Sequence, residues 1–375
     1  MPIFDDLCPR GPEWTVDWPR LRAAFAWLRR LEGVEQDPRH HAEGDVATHT
    51  RMAAEALTSL PSWRALEPDH RVRLFAAVLL HDVAKPFCTR TEADGSVTAH
   101  GHSRRGELLA RRLLWELDAP LGFREHVAAL VRHHQVPFWA LERDDLEEIV
   151  LRVSITARND DLAMLATADI LGRICGDASS VLDNIALFRE YCADLGVLDR
   201  PWPFANDHAR YAYFATPGRD PRWAAYDDTT FTVTVLSGLP GVGKDTYVQS
   251  AFDALPVISL DALRASLGVR PTAPQGPVLA AARSAARTLL RTRTPFVWNA
   301  TNVSRQAREQ IVSLAAGYGA RVHVVSLEAP PGVISARNSA RTSPVPAAAV
   351  ERMIGRWETP DLTEAHAVSW IDTRV

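Results

Sequence analysis

Hydrophobic and polar positions follow two different periods along the chain, and the change of period marks two regions. From about residue 18 to residue 191 the apolar residues recur every three or four positions, which is the spacing of amphipathic helices, and no alternating β pattern interrupts them. This pattern predicts an all-α domain over residues 1–200. The predicted helices are Leu21–Leu31, Thr50–Leu60, Arg71–His81, Ser103–Leu117, Phe123–His133 and Leu162–Gly172.

After residue 230 short β-rich runs alternate with helical segments. The runs are Phe231–Ser237, Pro256–Leu260, Pro295–Ala300 and Arg321–Leu327, and the helical segments are Asp245–Leu255, Pro277–Arg291, Ser304–Tyr318 and Ala347–Trp357. Strands that alternate with helices are typical of a parallel sheet. Residues 231–375 are therefore predicted to form an α/β domain with a parallel sheet and a helical lid, which makes the chain a multidomain protein. Residues 201–230, rich in proline and aromatic residues, are predicted to be a linker packed on the surface.

Composition favours a protein that works in a reducing, aqueous compartment. The 375 residues suffice for two cores, and no apolar run reaches the roughly 18 residues that span a bilayer. The segment Met1 to Arg10 lacks the basic and then apolar order of a signal peptide, and the four cysteines show no paired spacing. We therefore expect a cytoplasmic protein without a membrane partner.

Charge and lysine usage are uneven along the chain. Residues 231–375 carry 15 basic and 10 acidic side chains although the whole chain has a net charge of −4, so this part could accept a polyanion. Lys85 and Lys244 are the only lysines among 42 basic residues. Both lie inside motifs where a compact ammonium differs chemically from a planar guanidinium.

The helical region is rich in histidine. Ten of the 13 histidines lie between His40 and His134, and one of them begins the sequence His81-Asp82-Val83-Ala84-Lys85. An adjacent His and Asp on a helix can bind one divalent ion together. The other polar positions of this pattern, in chain order, are His49, His102, the pair His133-His134, and Asp169.

The order H…HD…H…H…D on successive helices resembles the HD phosphohydrolase superfamily. The resemblance implies metal-dependent phosphoester hydrolysis, with one or two divalent ions of Mn, Fe, Co, Ni or Zn. It implies a metal-binding core of His49, His81, Asp82 and Asp169, to which His102 and His134 add the extra histidines of binuclear members. His133 is the alternative to His134. Lys85 matches the lysine that follows HD and offsets phosphate charge.

Residues near these positions receive other assignments. Arg104 and Arg173 lie beside expected ligands, where they could contact a substrate phosphate. Four further histidines of the helical region are expected to be structural or solvent-exposed: His40, His41, His70 and His126.

The first strand of the α/β region runs directly into a glycine-rich phosphate-binding sequence. Gly238-Leu-Pro-Gly241-Val-Gly243-Lys244 is the GxxxxGK pattern in its strand–loop–helix context, where backbone N–H groups surround a phosphate and Lys244 reaches the β- and γ-phosphates. We therefore expect ATP or another NTP with Mg²⁺ as the cofactor. Asp245 stands where Ser or Thr normally holds the ion, so either Asp245 through water or Thr246 with a small shift could hold it.

Three further segments indicate the type of kinase. Asp261 and Arg264 follow the second strand, where a carboxylate faces the γ-phosphate and can accept a hydroxyl proton; a helix N-cap is the alternative for Asp261. Asn299 ends the third strand. Arg337 and Arg341, four residues apart, are expected on one helical face suited to closing over a triphosphate.

The set S-x-D-x-x-R, N-x-T-N and R-N-S-x-R resembles the 5′-hydroxyl polynucleotide kinases of the phage end-repair type. The resemblance implies that Asp261 is the general base and that Arg264 holds a phosphate of the acceptor strand. It implies that Arg341 is the lid arginine on the ATP phosphates, with Arg337 a second candidate. Asn299 departs from the pattern, since those kinases often carry Asp there.

In this order the two regions resemble bifunctional bacterial HD phosphoesterase–polynucleotide kinases (the HD-Pnk type), which heal nucleic-acid ends. That implies hydrolysis of 2′,3′-cyclic, 2′- or 3′-phosphate ends and phosphorylation of 5′-hydroxyl ends. The implied partners are RNA or DNA ends and a separate nucleic-acid ligase. Two alternatives stay open: a nucleoside or nucleotide kinase fused to a nucleotide phosphohydrolase, and an NTP-sensing switch protein.

Overall fold

The computed structural model describes residues 2–270, 273–341 and 343–374, without the side chains of Pro2 and Leu141. The chain forms two compact units, Met1–Trp202 and Pro203–Val375. The predicted fold class is confirmed: the first unit is helical and the second contains a parallel sheet. No helix of the described residues is long and apolar enough to cross a membrane.

The N-terminal unit is built from helices packed around one central helix. Pro68–Leu80 buries eight of its side chains and leads directly to His81. The α-helices of the unit are Pro2–Leu7, Trp18–Ala24, Ala26–Arg29, Val46–Ser59, Pro61–Arg64, Pro68–Leu80, His102–Glu116, Leu121–His133, Leu146–Thr156, Asn159–Leu171 and Ala178–Asp194, and the 3₁₀ turns are Lys85–Phe87 and Val136–Glu142.

Two details of this unit differ from the prediction. The single helix expected over Leu21–Leu31 is broken at Phe25, whose backbone is extended and whose buried ring stacks on Phe4 and Trp27. An antiparallel hairpin of Arg90–Thr91 and Val97–Thr98 also interrupts the helices. Strands of two residues are too short to produce a visible alternation.

Close packing of two helices brings distant parts of the chain together. A Cβ on Gly172 would lie 2.5 Å from the backbone nitrogen of Ala53, so only glycine permits the observed approach of the Asn159–Leu171 end to Val46–Ser59. Asp45 caps the latter helix by accepting from Thr48 N at 2.8 Å. This contact places Asp169 opposite His49.

The C-terminal unit contains a five-stranded parallel sheet. In spatial order the strands are Val257–Ser259, Phe296–Asn299, Phe231–Ser237, Ala320–Glu328 and Ala367–Asp372. The helices are Asp207–Ala215, Lys244–Ala251, Leu260–Ser266, Gly276–Arg291, Arg305–Ala316, Pro331–Ser339 and Ala347–Ile354. Ala367–Asp372 was not predicted, because its burial is only partial and its sequence holds few β-branched residues.

The segment expected to be a linker belongs structurally to the C-terminal unit. It contains the helix Asp207–Ala215, which Asn206 caps by accepting from Ala209 N at 2.7 Å. Tyr211 of this helix is buried in the same core as Phe231. Proline and aromatic content alone did not separate a packed segment of this kind from a linker.

Candidate active sites

The six expected metal ligands of the helical unit come together in one buried cluster. His49 and Asp169 lie inside two different helices, and His102 begins a third. His81, Asp82 and His134 directly follow the ends of two others. Each is at most 7% exposed. The residues are His49, His81, Asp82, His102, His134 and Asp169.

The cluster divides into two groups of three ligand atoms. In the first, His49 Nε2 lies 3.1 Å from Asp169 Oδ1 and 3.2 Å from His81 Nε2. In the second, Asp82 Oδ1 lies 3.4 Å from His102 Nε2 and 3.9 Å from His134 Nε2.

Asp82 lies between the two groups. Its other oxygen, Oδ2, is 3.2 Å from His81 Nε2 and 3.7 Å from His49 Nε2. Each carboxylate oxygen of Asp82 therefore faces one group, which is the arrangement of a bridging ligand.

Backbone contacts fix the direction of the imidazole rings. The Nδ1 atoms of His81, His102 and His134 each donate to the carbonyl three residues earlier, at 2.7, 2.8 and 2.8 Å respectively. A neutral ring that carries its proton on Nδ1 presents a bare Nε2 lone pair. These lone pairs all point into the cluster, as metal ligation requires.

Burial favours the neutral state of two of these rings, whereas the neighbouring carboxylates favour the charged state of the third. Burial lowers the pKa of His134 to about 3 and also lowers the pKa of His102, so both rings are neutral near pH 7. Burial opposes the charge on His81 too, but the carboxylates of Asp82 and Asp169 outweigh it and raise its pKa. Although burial acts against them, neighbouring cations hold the pKa of both carboxyls well below the usual range.

The donor set fits divalent ions. Asp82 Oδ1 is buried and accepts no hydrogen bond from the described residues, a costly state unless a cation satisfies it, whereas Oδ2 pairs with Lys85. Imidazole nitrogen combined with carboxylate oxygen is a set that suits Mn, Fe, Co, Ni and Zn. Of the two adjacent histidines, His134 has its ring in the cluster, and His133 belongs to none of the ligand groups found among the described residues.

Two cations lie against the cluster carboxylates. Lys85 Nζ is 2.7 Å from Asp82 Oδ2 and donates to Gln36 Oε1 at 2.7 Å. Arg173 donates through Nε and Nη2 to the two oxygens of Asp169, at 2.8 and 2.9 Å. Arg173 therefore orients the Asp169 carboxylate, whereas Arg104 is exposed beside His102.

The glycines of the phosphate loop adopt conformations that other residues avoid. Gly238 and Gly241 have φ angles of 155° and 84°. A Cβ on Gly238 would lie 2.7 Å from Leu327 O, and one on Gly241 would lie 2.8 Å from Ile334 O. The loop therefore requires glycine at both positions, and Gly243, with φ of 99°, leads into the helix that begins at Lys244.

Lys244 and Asp245 lie at the mouth of this loop. Lys244 Nζ donates to Gly238 O at 2.8 Å and to Leu239 O at 3.1 Å, and burial lowers its pKa to about 8. Asn299 Nδ2 donates to Asp245 Oδ1 at 2.7 Å, so the two unusual residues of the motif hold each other. Thr246 lines the same cleft.

Asp261 stands at the edge of the cleft without a capping role. Ser259 caps the helix Leu260–Ser266 by accepting from Ala262 N at 3.3 Å, which rules out the N-cap alternative for Asp261. The Asp261 carboxylate pairs with Arg264, and Arg341 Nη2 lies 3.7 Å from its Oδ2. Arg264 also donates to Gln275 Oε1 at 2.8 Å.

The expectation that Arg337 and Arg341 share one helical face is wrong. The helix Pro331–Ser339 ends before Arg341, so the two arginines do not lie on one helix. Arg337 Nη2 donates to Thr373 O at 2.7 Å, whereas Arg341 approaches Asp261. Both nevertheless line the cleft above the phosphate loop, which has a volume of about 1260 Å³.

Known proteins resemble each unit separately. Residues 45–175 match the HD domain family, and residues 233–360 match a family described as an AAA domain. The chain joins an HD domain to a P-loop kinase-like domain. Each match covers about a third of the chain, and the two geometries above lie within them.

Individual relatives cover only part of the chain. It is 38% identical over 128 residues to the multifunctional CCA protein of Halorhodospira halophila, which is 32% of this chain and 28% of that protein. It is 32% identical over 166 residues to the multifunctional CCA protein of Methylococcus capsulatus, 42% of this chain and 36% of that protein. The chain thus spans about a third of the length of these relatives. A gluconokinase structure from Sinorhizobium meliloti is 22% identical, with a TM-score of 0.29, over 40% of this chain and 86% of that one.

Behind the candidate metal ligands of the HD domain lies a carboxylate that the sequence did not reveal. Glu43 Oε1 is 3.1 Å from His49 Nδ1 and accepts from His41 Nδ1 at 2.7 Å, while Glu43 Oε2 accepts from Ile174 N at 2.9 Å. His41, expected to have no role in the site, is therefore part of its surroundings. Glu43 lies in a loop without periodicity, so only its closeness to His49 in the sequence could have indicated it.

The other histidines of the HD domain lie outside the cluster. His70 and His126 bond the two oxygens of buried Asp161, at 2.6 and 2.8 Å, and join three helices. His40 is exposed, 3.7 Å from Asp177. These three positions agree with the structural or exposed roles expected for them.

The P-loop domain also has a residue that the sequence did not reveal. Thr373 Oγ1 donates to Val242 O at 2.6 Å, inside the phosphate loop, and Thr373 O accepts from Arg337. Thr373 follows the strand Ala367–Asp372, which was itself not predicted. It connects the loop to one of the cleft arginines.

Proposed function

We propose that this protein heals nucleic-acid ends with two separate sites. The HD domain hydrolyses 2′,3′-cyclic, 2′- or 3′-phosphate ends, and the P-loop domain transfers the γ-phosphate of an NTP to a 5′-hydroxyl end. The observation that carries the kinase half is the composition of one cleft. Among the described residues, the phosphate loop, the carboxylate of Asp261 and six cationic side chains line this cleft. A nucleic-acid acceptor brings several phosphates to such a surface.

In the kinase reaction each residue has a defined task. Asp261 accepts the proton of the 5′-hydroxyl while the hydroxyl oxygen bonds to the γ-phosphorus. The bond between the γ-phosphorus and the β–γ bridging oxygen breaks, which releases the NDP. Lys244 and Arg341 stabilise the negative charge that spreads over the transferring phosphoryl group. Arg264 moves from Asp261 to an acceptor phosphate, and Asp245, held by Asn299, or Thr246 would hold the Mg²⁺ that accompanies the NTP.

In the hydrolytic reaction the protein supplies a preorganised, buried set of donor atoms. His49, His81 and Asp169 would hold one divalent ion, and Asp82 with His102 and His134 a second. Ions bound there supply Lewis acidity toward the phosphoester and a hydroxide at neutral pH. Lys85 keeps Asp82 ionised and lies where it can offset phosphate charge, and Arg173 holds Asp169 in place.

One substrate tests both halves at once. An oligonucleotide with a 5′-hydroxyl and a 2′,3′-cyclic phosphate, in RNA form and with a DNA counterpart that carries a 3′-phosphate, is incubated with ATP, Mg²⁺ and Mn²⁺. We expect label from γ-³²P-ATP at the 5′ end and loss of phosphate from the 3′ end. Phosphorylation of a free nucleoside but of no oligonucleotide would support the small-molecule kinase instead. ATP binding without transfer to either acceptor would support the nucleotide-sensing switch.

A further inference from the structure

Two arginines on one wall of the kinase cleft have no role in the reaction as described above. Arg352 lies in the helix Ala347–Ile354, and Arg356 follows one turn later. Both are exposed, and both line the cleft that holds the phosphate loop and Asp261. Neither makes a side-chain hydrogen bond or ion pair with another described residue.

The other cations of the cleft differ from this pair. Lys244 contacts carbonyl oxygens of the phosphate loop, Arg264 and Arg341 face Asp261, and Arg337 donates to Thr373 O. Arg352 and Arg356 are therefore the cationic part of the described cleft that protein groups leave uncompensated. Unpaired guanidinium groups on a cleft wall attract phosphate from solution.

The wall that carries the pair is fixed to the body of the domain. The Asn338 side chain donates to Val345 O at 2.8 Å and accepts from Val345 N at 3.1 Å. These two hydrogen bonds fix the segment that leads into the helix Ala347–Ile354. Met353 lies between the two arginines and lines the cleft as well. The two cations thus belong to a defined surface next to the phosphate loop.

We propose that Arg352 and Arg356 form a subsite for backbone phosphates of the acceptor strand, beyond the nucleotide whose 5′-hydroxyl reacts. This rests on the proposed function of the cleft. Because phosphate contacts carry no sequence information, the subsite would recognise strand length and charge and would accept different sequences. It would distinguish a polynucleotide from a nucleoside or a sugar.

The test compares acceptors of different length. KM is measured for a nucleoside 3′-monophosphate, for a 20-nucleotide 5′-hydroxyl strand and for ATP, using the full chain and the double variant Arg352→Gln/Arg356→Gln. We expect the variant to raise KM for the 20-mer about tenfold, and KM for the monophosphate and for ATP by less than about twofold. The slope of log Kd against log salt for the 20-mer should fall by about two.

A matched variant controls for loss of charge alone. Arg287 and Arg291 are exposed, lie one turn apart on the helix Gly276–Arg291 and do not line the cleft. The double variant Arg287→Gln/Arg291→Gln should keep both the KM and the salt slope of the full chain. An equal effect of the two double variants would reduce the proposal to general attraction by positive charge, and thereby refute it.

The remaining outcomes separate the subsite from the proposed activity. A rise in KM for ATP would assign the pair to the donor phosphates, and an equal rise for both acceptors would assign it to the reacting nucleotide; either result overturns the subsite. Fluorescence anisotropy with a labelled 20-mer measures binding without turnover. Binding that the double variant weakens, without any phosphorylation, would keep the subsite and reject the kinase function. Unchanged binding would reject the subsite.

Discussion

The HD centre and the kinase cleft both handle phosphate, yet they are built in opposite ways. In the HD centre every ligand side chain is buried, and backbone carbonyls fix three imidazole rings. In the cleft the charged groups contact one another, as Asp261 does with Arg264 and Arg341. The first site presents a buried, preset donor set, whereas the second must exchange the ion pairs of Asp261 for contacts with substrate. We therefore expect the two sites to respond differently to metals, to pH and to substitution.

The largest expected difference concerns metal removal. After dialysis against EDTA, 3′-end hydrolysis should fall by about a thousandfold or more, because no protein group of the HD centre can replace the Lewis acidity of the ion. Addition of Mg²⁺ alone should restore 5′ phosphorylation but not hydrolysis, which should return with Mn²⁺, Co²⁺ or Ni²⁺. Restoration of both activities by Mg²⁺ alone would contradict the predicted contrast between the sites.

The next largest effect concerns the carboxylate behind His49. Glu43→Gln keeps the shape but removes the charge that faces His49 Nδ1, so the affinity of the HD domain for Mn²⁺ should fall by about 10–100-fold. Titration calorimetry on the metal-free chain measures this affinity. Asp161→Asn is the matched control, since Asp161 is also a buried carboxylate between two histidines but lies outside the cluster. An equal loss in both variants would indicate general destabilisation.

Nucleotide binding in the kinase cleft should depend on pH. Burial lowers the pKa of Lys244 to about 8, and only its protonated form attracts the NTP phosphates. Binding is therefore strongest below pH 8, and Kd for ATP should rise about tenfold per pH unit above 8 until the pKa of the bound form is reached. Lys244→Arg should remove this dependence, because guanidinium stays charged. A flat profile of the full chain from pH 7 to 9.5 would argue against the role of this lysine.

The smallest expected effect concerns the contact between the last strand and the phosphate loop. Thr373→Val removes the hydrogen bond to Val242 O, and a loss of about 1 kcal/mol should raise KM for ATP roughly fivefold with little change in kcat. Thr373→Ser keeps the hydroxyl and should behave like the full chain. A change confined to kcat would mean that Thr373 acts on the chemical step and does not position the loop.

The sequence predicted the parts of both sites that depend on local patterns. The helix period predicted the helix next to His49 and the helix that leads to His81, and the GxxxxGK spacing placed Lys244 after a strand, as the structure shows. Contacts between distant segments were not predictable in this way. Glu43 contacts His49 from a loop, and Thr373 contacts Val242 from the other end of the domain. Arg341 lies beyond the helix that ends at Ser339. Each depends on tertiary packing that no short pattern encodes.

We expect the two phosphate-handling centres of the chain to act independently. The most direct measurement follows both ends of a single oligonucleotide, with a 5′-hydroxyl and a 2′,3′-cyclic phosphate, after treatment with Asp82→Ala or Lys244→Ala. Asp82→Ala should abolish 3′-end processing and keep 5′ phosphorylation, and Lys244→Ala should do the reverse. Loss of both activities in either variant, while the chain remains folded by circular dichroism, would contradict this expectation.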